Sequence, residues 1–119
     1  MALLANTLTI DSRKIAEEFA EQLQRRFGPR IRSIILFGSQ ARGDAAPDSD
    51  MDIAVVLDQD DPDTRKAIRD LAAELGLDYG LFVSTGIWSQ KQWNYIQTLQ
   101  TSLIRNIHRV GIALLPFTS

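Results

Sequence analysis

Two aspartates one residue apart, Asp50 and Asp52, stand at the start of a short apolar run in this chain of 119 residues. On an extended strand, residues two apart project from the same face with Cα atoms roughly 6.5–7 Å apart. The two carboxylates should therefore lie side by side, while Met51 points the other way into the core. Neighbouring carboxylates repel each other, and a divalent cation between them relieves the repulsion. The pair predicts a carboxylate metal site.

The composition leaves few other ways to bind a metal. The chain has no cysteine and one histidine, which excludes disulfide frameworks, zinc fingers, iron–sulfur sites, thiol nucleophiles and His-rich metal sites. Carboxylate ligands suit Mg²⁺ or Mn²⁺. The formal net charge of −2 indicates no need for a polyanionic partner, and no apolar run approaches the roughly 18 residues of a membrane span. We expect a cytoplasmic protein that binds neither membranes nor nucleic acid directly.

A glycine–serine turn precedes the carboxylate pair, and ten residues separate Ser39 from Asp50. The turn follows an apolar run and opens a short helical turn. Free backbone N–H groups at such a place bind phosphate, and Gly38 allows the phosphate to come close. The Ser39 hydroxyl adds a donor, Arg42 is either a phosphate contact or a solvated residue, and Ser49 either fixes the loop or contacts phosphate. A phosphate cradle beside paired carboxylates predicts a site for a metal–nucleotide complex.

Hydrophobic periodicity and turn signals predict helices alternating with short strands. The pattern is typical of a single α/β domain with a small mixed β-sheet flanked by helices. Gly28 is expected to end the first helix. Asp61 is expected to cap the N-terminus of the second helix, and Gly76 is expected to end that helix. The predicted helices cover residues 12–27, 62–75 and 89–109, the last broken near residue 101, and the predicted strands cover residues 31–37, 50–57, 77–83 and 112–115.

A third carboxylate, Asp78, falls at the start of the predicted strand 77–83. If this strand lies beside the strand 50–57, Asp78 can join the other two aspartates. Three carboxylates can hold two Mg²⁺ ions ~3.5–4 Å apart, the arrangement for in-line attack at phosphorus, and Asp78 would be the candidate to help remove the acceptor proton. A cap or turn role for Asp78 remains open. The competing third carboxylates are Asp58, Asp60 and Asp61.

The run GSQARGDAAPDSDMDIAVVL, residues 38–57, resembles the signature of the DNA polymerase β-like nucleotidyltransferase superfamily. It is similar to the minimal nucleotidyltransferases in particular, and the resemblance covers residues 31–83 well. It implies that residues 1–119 form one minimal nucleotidyltransferase domain with the α/β nucleotidyltransferase fold. The tail 106–112 resembles the C-terminal run of the family, in which Glu often stands where this chain has Val110.

The resemblance also implies a biological role. Small members of this kind are MntA-type antitoxins of HEPN/MNT (HepT–MntA) pairs, classed as type VII toxin–antitoxin systems. They transfer AMP from ATP to tyrosine hydroxyls of a HEPN-domain RNase toxin, with which a hetero-oligomer is expected. The residues that match the family's motif are Asp50, Asp52 and Asp78 as Mg²⁺ ligands and catalytic carboxylates, and Gly38 and Ser39 as nucleotide-phosphate contacts.

Two other classes of function stay open at this point. The domain could neutralise a toxin by occlusion alone, without catalysis, or it could modify a small molecule such as an antibiotic. Other notable side chains have ordinary structural interpretations as well as functional ones. These are His108 near a helix end, the aromatic residues Trp88, Trp93 and Tyr95 as core, interface or base-stacking surface, and the arginines Arg25, Arg26, Arg30 and Arg32 as a solvated or partner-facing patch.

Overall fold

The structure, a computed structural model, describes residues 12–38 and 50–115. These residues form four α-helices, one short 3₁₀ helix and four β-strands. The helices are α1 (Ser12–Phe27), α2 (Pro62–Tyr79), α3 (Gln90–Ile96) and α4 (Ser102–Val110), the 3₁₀ helix covers Gly28–Arg30, and the strands are β1 (Ile31–Phe37), β2 (Met51–Leu57), β3 (Val83–Ser89) and β4 (Ile112–Leu115). The predicted first helix, first strand and last strand are confirmed, and β2 begins one residue later than predicted.

The four strands form one mixed sheet in the order β3-β2-β1-β4. Strand β1 pairs antiparallel with both β2 and β4, whereas β2 and β3 are parallel. The parallel pair requires a crossover connection, and α2 supplies it, as is usual for a parallel strand pair. The mixed α/β architecture predicted from the sequence is confirmed.

Alternate residues of the central strands pack on opposite faces of the sheet, as the period of two requires. The first core cluster lies between the sheet and helices α1 and α2, and it includes Phe19, Ile53 and Ile68. The second core cluster lies between the sheet and helices α3 and α4, and it consists of Ala54, Val56, Trp93, Ile104 and Ile107. No helix within the described residues combines the length and hydropathy that a bilayer crossing requires.

Helix α2 continues past the glycine that was expected to end it. It ends at Tyr79, and Gly80 forms the C-cap with a left-handed φ of 70°. The N–H of Leu81 donates to the carbonyl of Gly76 at 3.0 Å, and a Cβ at Gly76 would lie 2.5 Å from the carbonyl oxygen of Leu81. Gly76 therefore lets the returning chain pack against the helix, and a left-handed glycine terminates the helix one turn later.

The predicted strand 77–83 is consequently wrong, because most of that range lies in α2 and its C-cap. Strand β3 begins at Val83 instead. The helix predicted over residues 89–109 with a break near residue 101 is two helices, each with its own N-cap, so the predicted break is confirmed. The side chain of Ser89 accepts from Gln92 N–H to start α3, and the side chain of Thr101 accepts from Ile104 N–H to start α4.

Candidate functional site

The two motif carboxylates come together at the start of β2. Met51 is fully buried in the first core cluster, so the neighbouring Asp52 points to the opposite face, the one covered by α3 and α4. Asp52 is half-buried, and Asp50, just before the strand, is exposed. The predicted division between Met51 and the carboxylate next to it is therefore confirmed.

Electrostatics make this pair an unfavourable arrangement for two negative charges. Burial raises the pKa of Asp52 above its usual 3.8, and the charge of Asp50 raises the pKa further. A cation held between the two carboxylates would remove both penalties. Among the described residues, no group of three or more acidic, histidine or cysteine side chains converges on a metal position. The donors therefore fit Mg²⁺ or Mn²⁺ held by one or two carboxylates together with substrate phosphates, which is how proteins usually bind Mg²⁺.

Gly38, at the end of β1, packs directly against Asp52. The register pairs Phe37 with Asp52, and Gly38 has a left-handed φ of 80°. A Cβ at this position would lie 2.5 Å from Oδ2 of Asp52. Only glycine combines this backbone conformation with this close approach.

The N–H of Gly38 is not a free phosphate donor. It donates to Oδ1 of Asn106 on α4 at 3.1 Å. The sequence marks residues 106–112 only as a family-like tail and gives Asn106 no predicted role. The two residues are 68 positions apart, so no local pattern could have linked them.

Three of the expected phosphate-contacting residues, Ser39, Arg42 and Ser49, lie outside the described residues. The short helical turn predicted directly after Gly38 and Ser39 also lies there.

The structure does not bring Asp78 to the carboxylate pair. Asp78 is exposed in the last turn of α2. Its neighbour Tyr79 packs against the first core cluster and donates to Glu18 of α1 at 2.8 Å, whereas Asp52 faces the opposite side of the sheet. The β3 residue paired with Asp52 is Ser84, a hydroxyl where a third carboxylate was expected. The placement of Asp78 on a strand beside Asp52 was wrong because β3 starts later than predicted.

The competing carboxylates lie beyond the opposite end of β2 and are already paired. Oδ1 of Asp61 accepts from Thr64 N–H at 2.8 Å, and Oδ2 accepts from the Arg30 guanidinium at 2.6 Å. Asp58 lies 3.5 Å from the same guanidinium, and Asp60 pairs with Arg65. These aspartates anchor the start of α2 and do not extend the site.

The remaining conspicuous side chains are largely structural. Trp93 is a core residue, and Trp88 packs on it with ring centroids 5.3 Å apart. The Trp88 ring also lies over Gly86, where a Cβ would meet a ring carbon at 2.5 Å. Trp88 thus lies on the same face of the sheet as Asp52, further along β3 than Ser84. His108 is exposed on α4, as expected.

Comparisons with known proteins agree with this geometry. Residues 16–109 match the family model described as "Nucleotidyltransferase domain". A relative from Methanocaldococcus jannaschii is 34% identical over 105 residues, which cover 88% of this chain and 99% of the relative, and its name contains the words "protein adenylyltransferase". A second relative from the same organism with these words in its name is 40% identical over 73 residues, covering 59% of this chain and 50% of the relative.

A solved structure extends the comparison to three dimensions. A chain of a structure described as a toxin–antitoxin with AMP-PNP superposes with a TM-score of 0.58 at 26% identity, covering 86% of this chain and 74% of that one. The fold, the paired carboxylates beside a glycine turn and the matched family model point to one assignment. The chain belongs to the nucleotidyltransferase domain family and is an adenylyltransferase.

Proposed function

We propose that this chain is a divalent-metal-dependent protein adenylyltransferase of the cytoplasm that acts as the antitoxin of a toxin–antitoxin pair. It would transfer AMP from ATP to a tyrosine hydroxyl of a HEPN-domain toxin and thereby silence that toxin. The observation that carries the proposal is the pair Asp50 and Asp52 at the start of β2, with the left-handed Gly38 against the Asp52 carboxylate.

The residues present fit a bound Mg²⁺ or Mn²⁺. Asp50 and Asp52 would hold the metal, and the cation would neutralise charge on the triphosphate oxygens. The electrostatic cost of keeping both carboxylates ionised in the free protein indicates a site built for a cation. Gly38 keeps the end of β1 free of side-chain atoms, so that a phosphate can approach the carboxylates. Ser39, Arg42 and Ser49 are proposed nucleotide contacts on the basis of the motif.

The proposed reaction is a displacement at the α-phosphorus of ATP. The tyrosine oxygen forms a bond to that phosphorus, the bond from the same phosphorus to the bridging oxygen breaks, and pyrophosphate leaves. The phenolic proton passes to solvent or to a nearby base. The described residues supply no third carboxylate at the pair for this purpose, which removes the structural basis for assigning the proton transfer to Asp78.

The relatives support the choice of nucleotide and acceptor. The Methanocaldococcus jannaschii relative matched over nearly its whole length is named for adenylyl transfer to protein, and the structural neighbour contains an ATP analogue. A further neighbour is described as a tri-AMPylated Shewanella oneidensis HEPN toxin in complex with MNT antitoxin, with a TM-score of 0.50, 24% identity and coverage of 85% of this chain. At that identity the likeness supports the fold, and the HEPN acceptor is part of the proposal.

The decisive experiment combines the purified chain, ATP, Mg²⁺ and a HEPN-domain protein as the acceptor, with intact mass as the readout for an AMP adduct. Asp50→Asn and Asp52→Asn should each reduce transfer at least about 100-fold, the scale seen when groups that stabilise transition-state charge are removed. Neither variant should lower the melting temperature, because each removes a repulsion.

Asp70→Asn is the matched control, since Asp70 is an exposed aspartate on α2 that pairs only with Lys66 among the described residues. It should transfer AMP at the wild-type rate. Wild-type rates from either motif variant would contradict the metal assignment, and a wild-type protein that modifies no acceptor would contradict adenylyl transfer. A double motif variant that still neutralises the toxin would indicate occlusion as the mechanism.

A further inference from the structure

The side chain of Asn106 connects the last helix to the turn beside the carboxylates. Asn106 is half-buried on α4, and its Oδ1 accepts the N–H of Gly38 at 3.1 Å. An amide oxygen that accepts a backbone N–H fixes where the backbone lies, and this backbone lies at the end of β1. The bond therefore sets the position of the glycine from outside its own strand.

The glycine so held is in direct contact with a motif carboxylate. Gly38 has a φ of 80°, and the space that its Cβ would fill is occupied by Oδ2 of Asp52. Glycine has the widest range of backbone conformations of any residue. Without an external hold, the turn could leave the left-handed conformation and separate from Asp52. The Asn106 hydrogen bond restricts that freedom where it affects the site.

Helix α4 is a firm support for this contact. Ile104 and Ile107 are buried in the second core cluster on either side of Asn106 in sequence, and Thr101 caps the first turn. At the other end, the N–H of Gly111 donates to the carbonyl of Ile107 at 2.8 Å. Asn106 thus projects from a helix fixed at both ends and along one face.

We propose that Asn106 is a positioning residue for adenylyl transfer. Its Oδ1 holds the N–H of Gly38 so that the glycine stays against the Asp52 carboxylate. The inference rests on the proposed function, and it makes the C-terminal helix a working part of the site.

Asn106→Leu tests the proposal, because leucine has nearly the same size and no hydrogen-bond acceptor. Amide hydrogen exchange of the full-length, ¹⁵N-labelled protein, measured without nucleotide or metal, should show the Gly38 N–H exchanging at least tenfold faster. AMP transfer by the same variant should fall at least tenfold. Asn106→Asp keeps an oxygen acceptor, so it should restore the Gly38 protection and most of the transfer rate.

Asn94→Leu is the matched control, since Asn94 is an exposed asparagine on α3 that accepts from Gln90 at 2.9 Å. It should leave both readouts at wild-type values. Wild-type transfer by Asn106→Leu, or reduced transfer with unchanged Gly38 exchange, would overturn the proposal, as would Asn106→Asp behaving like the leucine variant. Failure of the proposed function is distinguishable, because the wild-type protein would then transfer no AMP while the exchange measurement would still report on the hydrogen bond.

Discussion

At the scale of single residues, the site depends on the absence of a side chain at one position. Gly38 is one of three described glycines with a positive φ, together with Gly28 and Gly80. A Cβ at Gly28 or Gly80 would meet nothing within 4 Å, whereas a Cβ at Gly38 would overlap a carboxylate oxygen of Asp52. An alanine would therefore have a strained backbone at all three positions, and only at Gly38 would its Cβ also collide with another side chain.

Gly38→Ala should separate these two effects when it is compared with Gly80→Ala, whose φ of 70° is similar. Both variants should lose about 1–2 kcal/mol of unfolding free energy, the cost of a left-handed conformation for an L-residue. Only Gly38→Ala should also lose AMP transfer, by about 100-fold or more, because its Cβ displaces the Asp52 carboxylate that we propose as a metal ligand. Urea denaturation and the adduct assay measure the two quantities. Equal transfer by both alanine variants would contradict the contact between Gly38 and Asp52.

At the scale of secondary-structure elements, α2 begins at an N-cap aspartate that is paired with an arginine, and it ends at a glycine C-cap. Its N-cap, Asp61, accepts from the N–H and the hydroxyl of Thr64 and from the Arg30 guanidinium. The Thr64 N–H, and then Arg30, lower the pKa of Asp61 from 3.8 to about 2. The charged form of this carboxyl is thus stabilised by folding.

The sign of the pH dependence follows from that shift. A carboxyl whose pKa is lowered in the folded state adds stability above its unfolded pKa of 3.8, and this contribution is lost as the pH falls towards about 2. Asp61→Asn should therefore show a shallower loss of unfolding free energy over this acidic window than the wild type in urea titrations. Asp63→Asn, an exposed neighbour in the first turn of α2, should keep the wild-type slope. Parallel slopes for wild type and Asp61→Asn would contradict the assigned role of the cap.

The position at which α2 ends determines where Asp78, the predicted third carboxylate, lies. Because the helix continues to Tyr79, Asp78 lies on the side of the sheet that α1 and α2 cover, away from Asp52. Asp78→Asn should accordingly retain AMP transfer within about threefold, whereas removal of a true transition-state contact costs ~100-fold or more. A collapse of transfer in this variant would instead favour the sequence-based expectation that Asp78 joins the metal site.

At the scale of the whole molecule, two unequal cores hold the sheet. The first core cluster contains most of the buried apolar side chains, whereas five buried residues form the second. The second is nevertheless the one beneath the site, since Asp52 and the helix that carries Asn106 share its face. A loss of packing in the second core cluster should therefore disturb the site, even though this cluster is the smaller of the two.

Trp93→Ala tests the weight of the second core cluster. Trp93 is 4% exposed, whereas Tyr95, two residues later on the same helix, is 65% exposed. The tryptophan variant should lose about 3–5 kcal/mol of unfolding free energy through lost burial and a residual cavity. Tyr95→Ala should change stability by less than about 0.5 kcal/mol, as surface substitutions do. Similar losses for both variants in urea denaturation would contradict the assigned packing of α3.

The sequence by itself determined the features that depend on near neighbours in the chain. Strand alternation placed Met51 in the core and Asp52 on the other face, and the absence of cysteine with a single histidine restricted any metal site to carboxylates. The cap at Asp61 and the bounds of α1, β1 and β4 were also predictable, because capping and periodicity act over a few residues.

Only the tertiary structure decided which distant residues meet. Whether a glycine ends a helix depends on the chain that returns against it. Here Leu81 returns against Gly76 within the helix, so β3 begins later than predicted. Ser84, rather than Asp78, is therefore the β3 residue beside Asp52. The bond from Gly38 to Asn106 spans 68 residues. Such contacts arise when separate elements pack on a common sheet face, and their register is set by the whole core rather than by any local pattern.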